Sequence, residues 1–185
     1  MNLALGLLLA AMLLVLFGAA GPLPRRLSLS PGFCMAVLAL FFGAGLVPLL
    51  PVGPVLALSV GGFLFPLGLC CLLWQGPAGF RDRLAPWAAC LGDLLWPVGL
   101  LGAALAYGLC RDKRFSPSAA LLGAVLADGG SALWGLLTRK TAVLCLGERL
   151  LPAVLALLVP AALMGAQALF EKLDRQYFRV KGDHS

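Results

Sequence analysis

The feature that most constrains this chain is a series of apolar runs, most of them close to 20 residues long and nearly free of charge. Of the 185 residues, 61% are hydrophobic and only 12% are charged, whereas soluble domains carry about 25% charged residues. A helix of about 20 apolar residues crosses the hydrocarbon core of a bilayer. The sequence therefore predicts an all-α fold, a polytopic transmembrane helix bundle.

Six runs are candidate spans. They cover residues 2–23, 33–50, 55–74, 87–110, 119–137 and 142–170. A cleaved signal peptide is an alternative for the first run, but no Lys or Arg precedes it, which favours a transmembrane helix. With six full spans, the loops place six positive residues on one side and seven on the other. This balance gives no orientation and indicates that one run does not cross fully, so we predict five or six spans.

The second and third runs are separated only by residues 51–54, which predicts a tight hairpin. Pro48, Pro51 and Pro54 lack the backbone donors that a continuous helix needs. The turn carries no charge, so the hairpin either spans with its turn shallow in the interface or is partly re-entrant and shielded by protein.

The loops and the chain end complete the predicted organisation. Residues 75–86 form a polar loop, and the fourth run is one helix with small residues along one face, namely Gly92, Gly99, Ala103 and Ala106. Ser116 or Ser118 caps a helix that starts at Ala119. Residues 1–170 form one transmembrane domain, and residues 171–185 form a charged amphipathic tail that lies on the lipid headgroups.

The sixth run is too long for one perpendicular span, and Glu148 and Arg149 interrupt it early. Either these two residues lie at the membrane interface, or the chain first forms a short surface helix. Pro152 fits the first turn of a helix that begins near Leu150.

Two carboxylates lie well inside apolar runs, Asp93 in the fourth and Asp128 in the fifth. An aspartate at the centre of a membrane helix costs about 2.5 to 3.5 kcal/mol on insertion scales, so such residues are functional candidates. Ala120, Ala124, Asp128, Ser131 and Gly135 follow a helical spacing along one small or polar face. We predict that this face points into the bundle, with the fifth run at its centre.

The third run has a second unusual pattern, Gly61 and Gly62 followed by Pro66. Adjacent glycines let another backbone approach closely, and Pro66 leaves the carbonyl of Gly62 without its helical donor. One interpretation is a local unwinding that exposes backbone polar groups to a cavity. The other is a kinked packing helix.

Several kinds of site are not indicated. The six cysteines lie in or beside apolar runs without a C-x-x-C spacing, and His184 is the single histidine. We predict no metal site and no cofactor. The net charge of +6 comes from short loops and the tail, which predicts contact with the lipid bilayer rather than with nucleic acid. The sequence is compatible both with a homo-oligomer and with binding to a membrane partner protein.

Three functions fit Asp93 and Asp128, and a membrane protein that handles a proton, an ion or a small solute, or that assists a partner protein, is favoured over an enzyme. Either aspartate can be structural, hydrogen-bonded across helices. Asp128, with Ser131 and the backbone at Gly61 and Gly62, can bind a proton, an ion or a polar solute. The third alternative is an intramembrane hydrolase in which both aspartates share a proton and activate water. Gly92-Asp93 only partly matches the Gly-x-Gly-Asp motif of intramembrane aspartyl proteases, because position 90 is Cys90.

Residues 56–74 and 106–134 together resemble a bacterial and archaeal membrane protein family, domain of unknown function 1614. The resemblance rests on Gly61, Gly62, Pro66, Gly123, Ala127 and Asp128. It implies a multi-pass protein of a prokaryotic cytoplasmic membrane but no activity, because the family is uncharacterised. Family members often have a later glycine-rich segment with a second Asp, whereas this chain has only Gly147-Glu148 there.

Overall fold

A computed structural model describes residues 3–17, 30–73, 79–96, 99–138 and 143–182, with side chains as far as Asp174 in the last range. Some sequence predictions fall on residues outside these ranges. They concern the end of the first run, the end of the third run at Trp74, and Pro97 within the fourth run. They also concern the positive loop residues Arg25, Arg26, Arg139 and Lys140, and His184.

The described part of the chain is mostly helical, as predicted, with seven α-helices. They are α1 (Leu3–Leu16), α2 (Pro31–Leu46), α3 (Phe65–Leu73), α4 (Phe80–Leu95), α5 (Leu100–Leu109), α6 (Ser116–Leu137) and α7 (Leu150–Gly182). A π-helix at Val60–Leu64 leads directly into α3, and a 3-10 turn at Lys113–Phe115 leads into α6.

Within the described residues, two helical segments are long and apolar enough to cross a membrane, Lys113–Leu137 and Leu150–Asp174. Four other apolar helical segments have 10 to 17 residues, which is shorter than the roughly 20 residues that a perpendicular span needs. The structure thus indicates membrane association through two long helices. The predicted five or six spans are more than these two helices account for.

The all-α prediction is incomplete, because three short strands form a sheet. They are β1 (Leu50–Pro51), β2 (Leu56–Leu58) and β3 (Leu144–Leu146), in the order β1-β2-β3. β1 and β2 pair antiparallel, with Leu50 opposite Leu58, and β2 pairs parallel to β3, with Ala57 opposite Cys145. The tight turn predicted at residues 51–54 therefore lies between strands rather than helices. The prolines prevent helical hydrogen bonding in this segment. Pairing between the strands satisfies backbone N–H and C=O groups that a helix would otherwise have paired.

The strands change two predicted spans. The second run leaves the helix after Leu46, and the third becomes helical only at Val60. In the sixth run, β3 occupies the place of the proposed surface helix, whereas α7 begins at Leu150 as expected, with Pro152 in its first turn. α7 continues to Gly182 and therefore runs through the domain boundary predicted at residue 170.

The prediction of one helix over residues 87–110 is wrong, because this part of the chain forms two helices. α4 already begins at Phe80, inside the predicted loop, and ends at Leu95, and Gly99 precedes α5 with φ +85°. Glycine adopts this left-handed conformation without steric cost. The predicted small-residue face is thus divided between two helices, and Gly92 of α4 packs against Gly102 of α5.

α6 lies at the centre of the fold, as predicted for the fifth run, and contacts α3, α4, α5 and α7. Its first half is buried, with Ala120, Leu121 and Ala124 in the main apolar cluster. The predicted serine cap is wrong, because α6 starts at Ser116 and both serines donate hydrogen bonds to carbonyl groups of the 3-10 turn, Ser116 to Lys113 and Ser118 to Phe115. A second apolar cluster joins α1, α2 and α7 around Leu8 and Phe41.

Candidate functional site

A cavity of about 250 Å³ lies where α4, α6, the π-helix and the start of α7 meet. Its walls combine four polar side chains with small and apolar residues. The lining residues are Gly62, Asp93, Leu94, Ala124, Ala127, Asp128, Ser131, Arg149, Pro152 and Ala153. The cavity thus brings together the two aspartates that the sequence singled out, from helices that are distant in the chain.

Asp128 reaches this cavity from the middle of α6, where the helix changes from buried to exposed. Its side chain is half-buried, and Oδ2 accepts a hydrogen bond from the backbone N–H of Gly147. Its carboxylate therefore contacts protein at the turn before α7. Ser131 is exposed, however, and its hydroxyl donates to the Asp128 carbonyl at 2.8 Å, so the polar face of α6 is buried only in its first half.

Gly147 links three elements at the edge of the cavity. It follows β3 with φ +77°, is buried, and donates its amide hydrogen to Asp128. Its carbonyl lies against Gly62, so close that a methyl group at position 62 would overlap it. Ser59 N–H donates to the Leu146 carbonyl at 2.8 Å and extends the β2–β3 pairing to this point.

The glycine pair at Gly61 and Gly62 makes two close backbone contacts, as the sequence predicted. A Cβ on Gly61 would lie 2.7 Å from Gly45 of α2, and Gly62 contacts Gly147. The local unwinding is a π-helix, in which Phe65 N–H donates to the Val60 carbonyl. Of these residues, Gly62 lines the cavity, whereas Gly61 packs against α2 and Pro66 is buried in α3 outside the lining.

Asp93 lies near the C-terminal end of α4 and faces the first turn of α5. It is 5% exposed, and neither carboxylate oxygen accepts a hydrogen bond from any described residue. Oδ1 lies against Gly102 of α5. A buried polar group without partners is costly, and the two carboxylate oxygens of Asp93 are shielded from solvent where they face α5.

Arg149 is the cavity residue that the sequence-based interpretation missed. It was seen only as an interruption of the sixth run, yet it lines the cavity and its charge acts on Asp128, as does the charge of Glu148. The sequence feature that could have indicated it is the charged pair Glu148-Arg149, which lies just before the helix start predicted near Leu150. Arginine in this position provides one positive charge near Asp128.

A further buried acid lies away from the cavity. Asp82, in the first turn of α4, is fully buried, and its Oδ1 accepts from the Arg111 amide at 2.7 Å. Its neighbours in the sequence, Arg81 and Arg83, made it look like part of a solvated loop. The bond links the start of α4 to the segment before α6.

The described residues contain no group of three or more His, Cys, Asp or Glu side chains suited to hold a metal ion. Comparison of the chain with protein-family models, curated proteins and solved structures finds no match.

Proposed function

We propose that this chain is a multi-pass protein of a prokaryotic cytoplasmic membrane, with five or six spans, that handles a proton, an ion or a small solute in this cavity, alone or with a membrane partner. The observation that carries the proposal is Asp93, buried and without a hydrogen-bond donor among the described residues, at a cavity that Asp128 and Arg149 also line. Intramembrane carboxylates beside cavities are typical of proton and ion pathways.

The backbone around the cavity also supports this proposal. Non-helical backbone at membrane depth occurs where protein shields it or where it lines a cavity. Here the π-helix that leads into α3 and the turn at Gly147 before α7 form irregular backbone beside the cavity and Asp128. Irregular backbone at the binding site recurs in transporters.

Reconstitution of the full chain into vesicles with an entrapped pH-sensitive dye tests the proposal. Under an imposed membrane potential, we expect faster proton entry than in protein-free vesicles, and slower entry with Asp93→Asn. The control is Asp112→Asn, which changes an exposed carboxylate outside the cavity lining. Equal flux in vesicles with and without protein contradicts a proton-handling role.

A structural scaffold is the second candidate, favoured by the hydrogen bond between Gly147 and Asp128. This role predicts that Asp128→Asn lowers stability and leaves ion flux unchanged. The hydrolase alternative has less support, because a dyad needs the two carboxylates to share a proton. Asp93 makes no hydrogen bond to Asp128, and one Asp128 oxygen already binds Gly147.

A further inference from the structure

The hairpin of α4 and α5 begins and ends at the same end of the bundle. Near its turn, Gly92 of α4 packs against Gly102 of α5. At its open end, Oδ1 of Asp82 accepts a hydrogen bond from the Arg111 amide at 2.7 Å, and the 3-10 turn at Lys113–Phe115 then leads directly into α6. The start of α4 and the segment before α6 therefore lie side by side.

These two stretches, residues 80–83 and 111–114, form what we call the basic surface. They contain five basic and two acidic residues, an excess of three positive charges. The basic residues are Arg81, Arg83, Arg111, Lys113 and Arg114. If residues 87–110 formed one span, the first two would lie on the opposite side of a membrane from the other three. The hairpin instead brings all five together.

The arginines of the basic surface are available to an external anion. All four are exposed, and none of their side chains forms an ion pair or a hydrogen bond with a described residue. Lys113 differs, because its ammonium donates to the carbonyls of Tyr107 and Cys110 at 2.6 and 2.8 Å and lies over the Tyr107 ring. Lys113 thus holds the end of α5, whereas the arginines have no such internal role.

The two aspartates of the basic surface bind backbone amides rather than guanidinium groups. Asp82 is buried and accepts from the Arg111 amide, and Asp112 accepts from the Arg114 amide at 3.0 Å. Each carboxylate fixes the backbone that carries an arginine without forming an ion pair with the arginine side chain.

Exposed apolar side chains continue from the basic surface along α4. Phe80 is 76% exposed and Trp87 is 61% exposed, and Leu84 and Leu91 are exposed as well. With Arg83 they follow a helical spacing, so one face of α4 changes from charged to aromatic and aliphatic. Positive and aromatic side chains beside an apolar surface are typical of the boundary between lipid headgroups and acyl chains. This arrangement favours a phospholipid over a soluble anion.

We propose that the basic surface binds the headgroups of anionic phospholipids, with guanidinium groups at the phosphates and acyl chains along the exposed face of α4. Guanidinium groups match phosphate oxygens bidentately, and basic residues near an anionic membrane surface are attracted to it. The proposal rests on the membrane location within the proposed function and is independent of solute handling. It assigns to particular arginines the lipid contact that the net charge predicted only in general.

Thermal unfolding of the full chain in micelles of a non-ionic detergent tests this proposal, with separate titrations of phosphatidylglycerol, phosphatidylcholine and inorganic phosphate. We expect a saturable rise in the unfolding midpoint with phosphatidylglycerol alone. Most of this rise should disappear in about 1 M sodium chloride, where the Debye length falls to about 3 Å. These titrations use the unaltered protein, so they do not depend on the folding of any variant.

Two variants locate the binding surface. Arg83→Gln and Arg114→Gln should each weaken the apparent affinity for phosphatidylglycerol about fivefold, the effect of removing one basic residue near an anionic surface. Arg149→Gln is the matched control, because it removes an exposed arginine close to Asp128, roughly 18 Å along α6 from Ser116. Its affinity should equal that of the unaltered protein.

Three results overturn the proposal. They are an equal rise with phosphatidylcholine or inorganic phosphate, no rise with phosphatidylglycerol, and a rise that Arg83→Gln and Arg114→Gln leave unchanged. Proton flux that depends on Asp93, without selectivity for phosphatidylglycerol, rejects the basic surface alone. Release of the chain from cell membranes by alkaline carbonate rejects the membrane location and, with it, both proposals.

Discussion

The amide of Gly147 donates a hydrogen bond to the carboxylate of Asp128 and so fastens the turn before α7 to the middle of α6. Because Gly147 also lies against Gly62, one carboxylate connects α6, the turn before α7 and the π-helix. A charge-assisted hydrogen bond from Gly147 and the positive charge of Arg149 reduce the cost of burying this carboxylate in the apolar α6.

Replacement of Asp128 by Ala should destabilise the protein by about 1 to 3 kcal/mol, because the buried Gly147 amide then loses its acceptor. Asp128→Asn retains an acceptor oxygen and should lose less. Ser131→Ala is the matched control, since it removes a hydroxyl that bonds only to its own helix. Chemical unfolding in detergent measures the three variants, and an equal loss in Ser131→Ala would show that the Gly147 contact is not the cause.

A methyl group at Gly62 should be far more damaging than one at Gly68. At position 62 it overlaps the backbone carbonyl of Gly147, which cannot rotate away, whereas at position 68 no described atom beyond its own helix backbone lies within 4 Å. We expect Gly62→Ala to cost at least about 2 kcal/mol. Gly68→Ala should be neutral or stabilising by up to about 1 kcal/mol, the helix propensity gained.

Thermal unfolding of both variants under identical detergent conditions gives the difference. Similar midpoints for Gly62→Ala and Gly68→Ala are incompatible with the close approach of the π-helix to the turn.

The sequence was informative where periodicity and backbone chemistry act locally. The helical character, the central position of the fifth run, the start of α7 near Leu150 and the close packing at Gly61 and Gly62 all follow from patterns within a few residues. Strands β2 and β3 were not predictable in this way, because each is short and apolar and they pair across more than eighty residues. Apolar runs of this kind have no periodicity that distinguishes strand from helix.

The site shows the same division. Asp128, Asp93, Ser131 and Gly62 were selected as intramembrane polar or conformationally special residues, and all four line the cavity. Arg149 was missed because its role depends on the first turn of α7 lying beside Asp128, a tertiary contact. The break at Gly99 was missed as well, and it turns α5 so that its first turn faces Asp93.

A second pair of glycines tests the packing of α6 against α4. A Cβ on Gly123 would collide with the Ala89 side chain and lie 2.9 Å from the Pro86 carbonyl, whereas a Cβ on Gly129 of the same helix has no described atom beyond its own helix backbone within 4 Å. Gly123→Ala should therefore cost about 1 to 3 kcal/mol, and Gly129→Ala should be close to neutral. Detergent unfolding curves compare the two, and a larger loss in Gly129→Ala would contradict the observed face of α6.

The last prediction concerns Asp82, the buried acid that its arginine neighbours concealed. Its Oδ1 accepts the Arg111 amide at 2.7 Å with the side chain fully buried, and its place in the first turn of α4 lets the helix dipole stabilise the charge. Asp82→Ala should cost about 1 to 3 kcal/mol, because the Arg111 amide loses its acceptor in a part-buried site.

Asp112→Ala removes an exposed acceptor of the Arg114 amide and should cost less than about 1 kcal/mol, because water replaces the lost bond. Unfolding measurements on both variants check the difference, and equal losses would show that burial of Asp82 adds nothing to the bond.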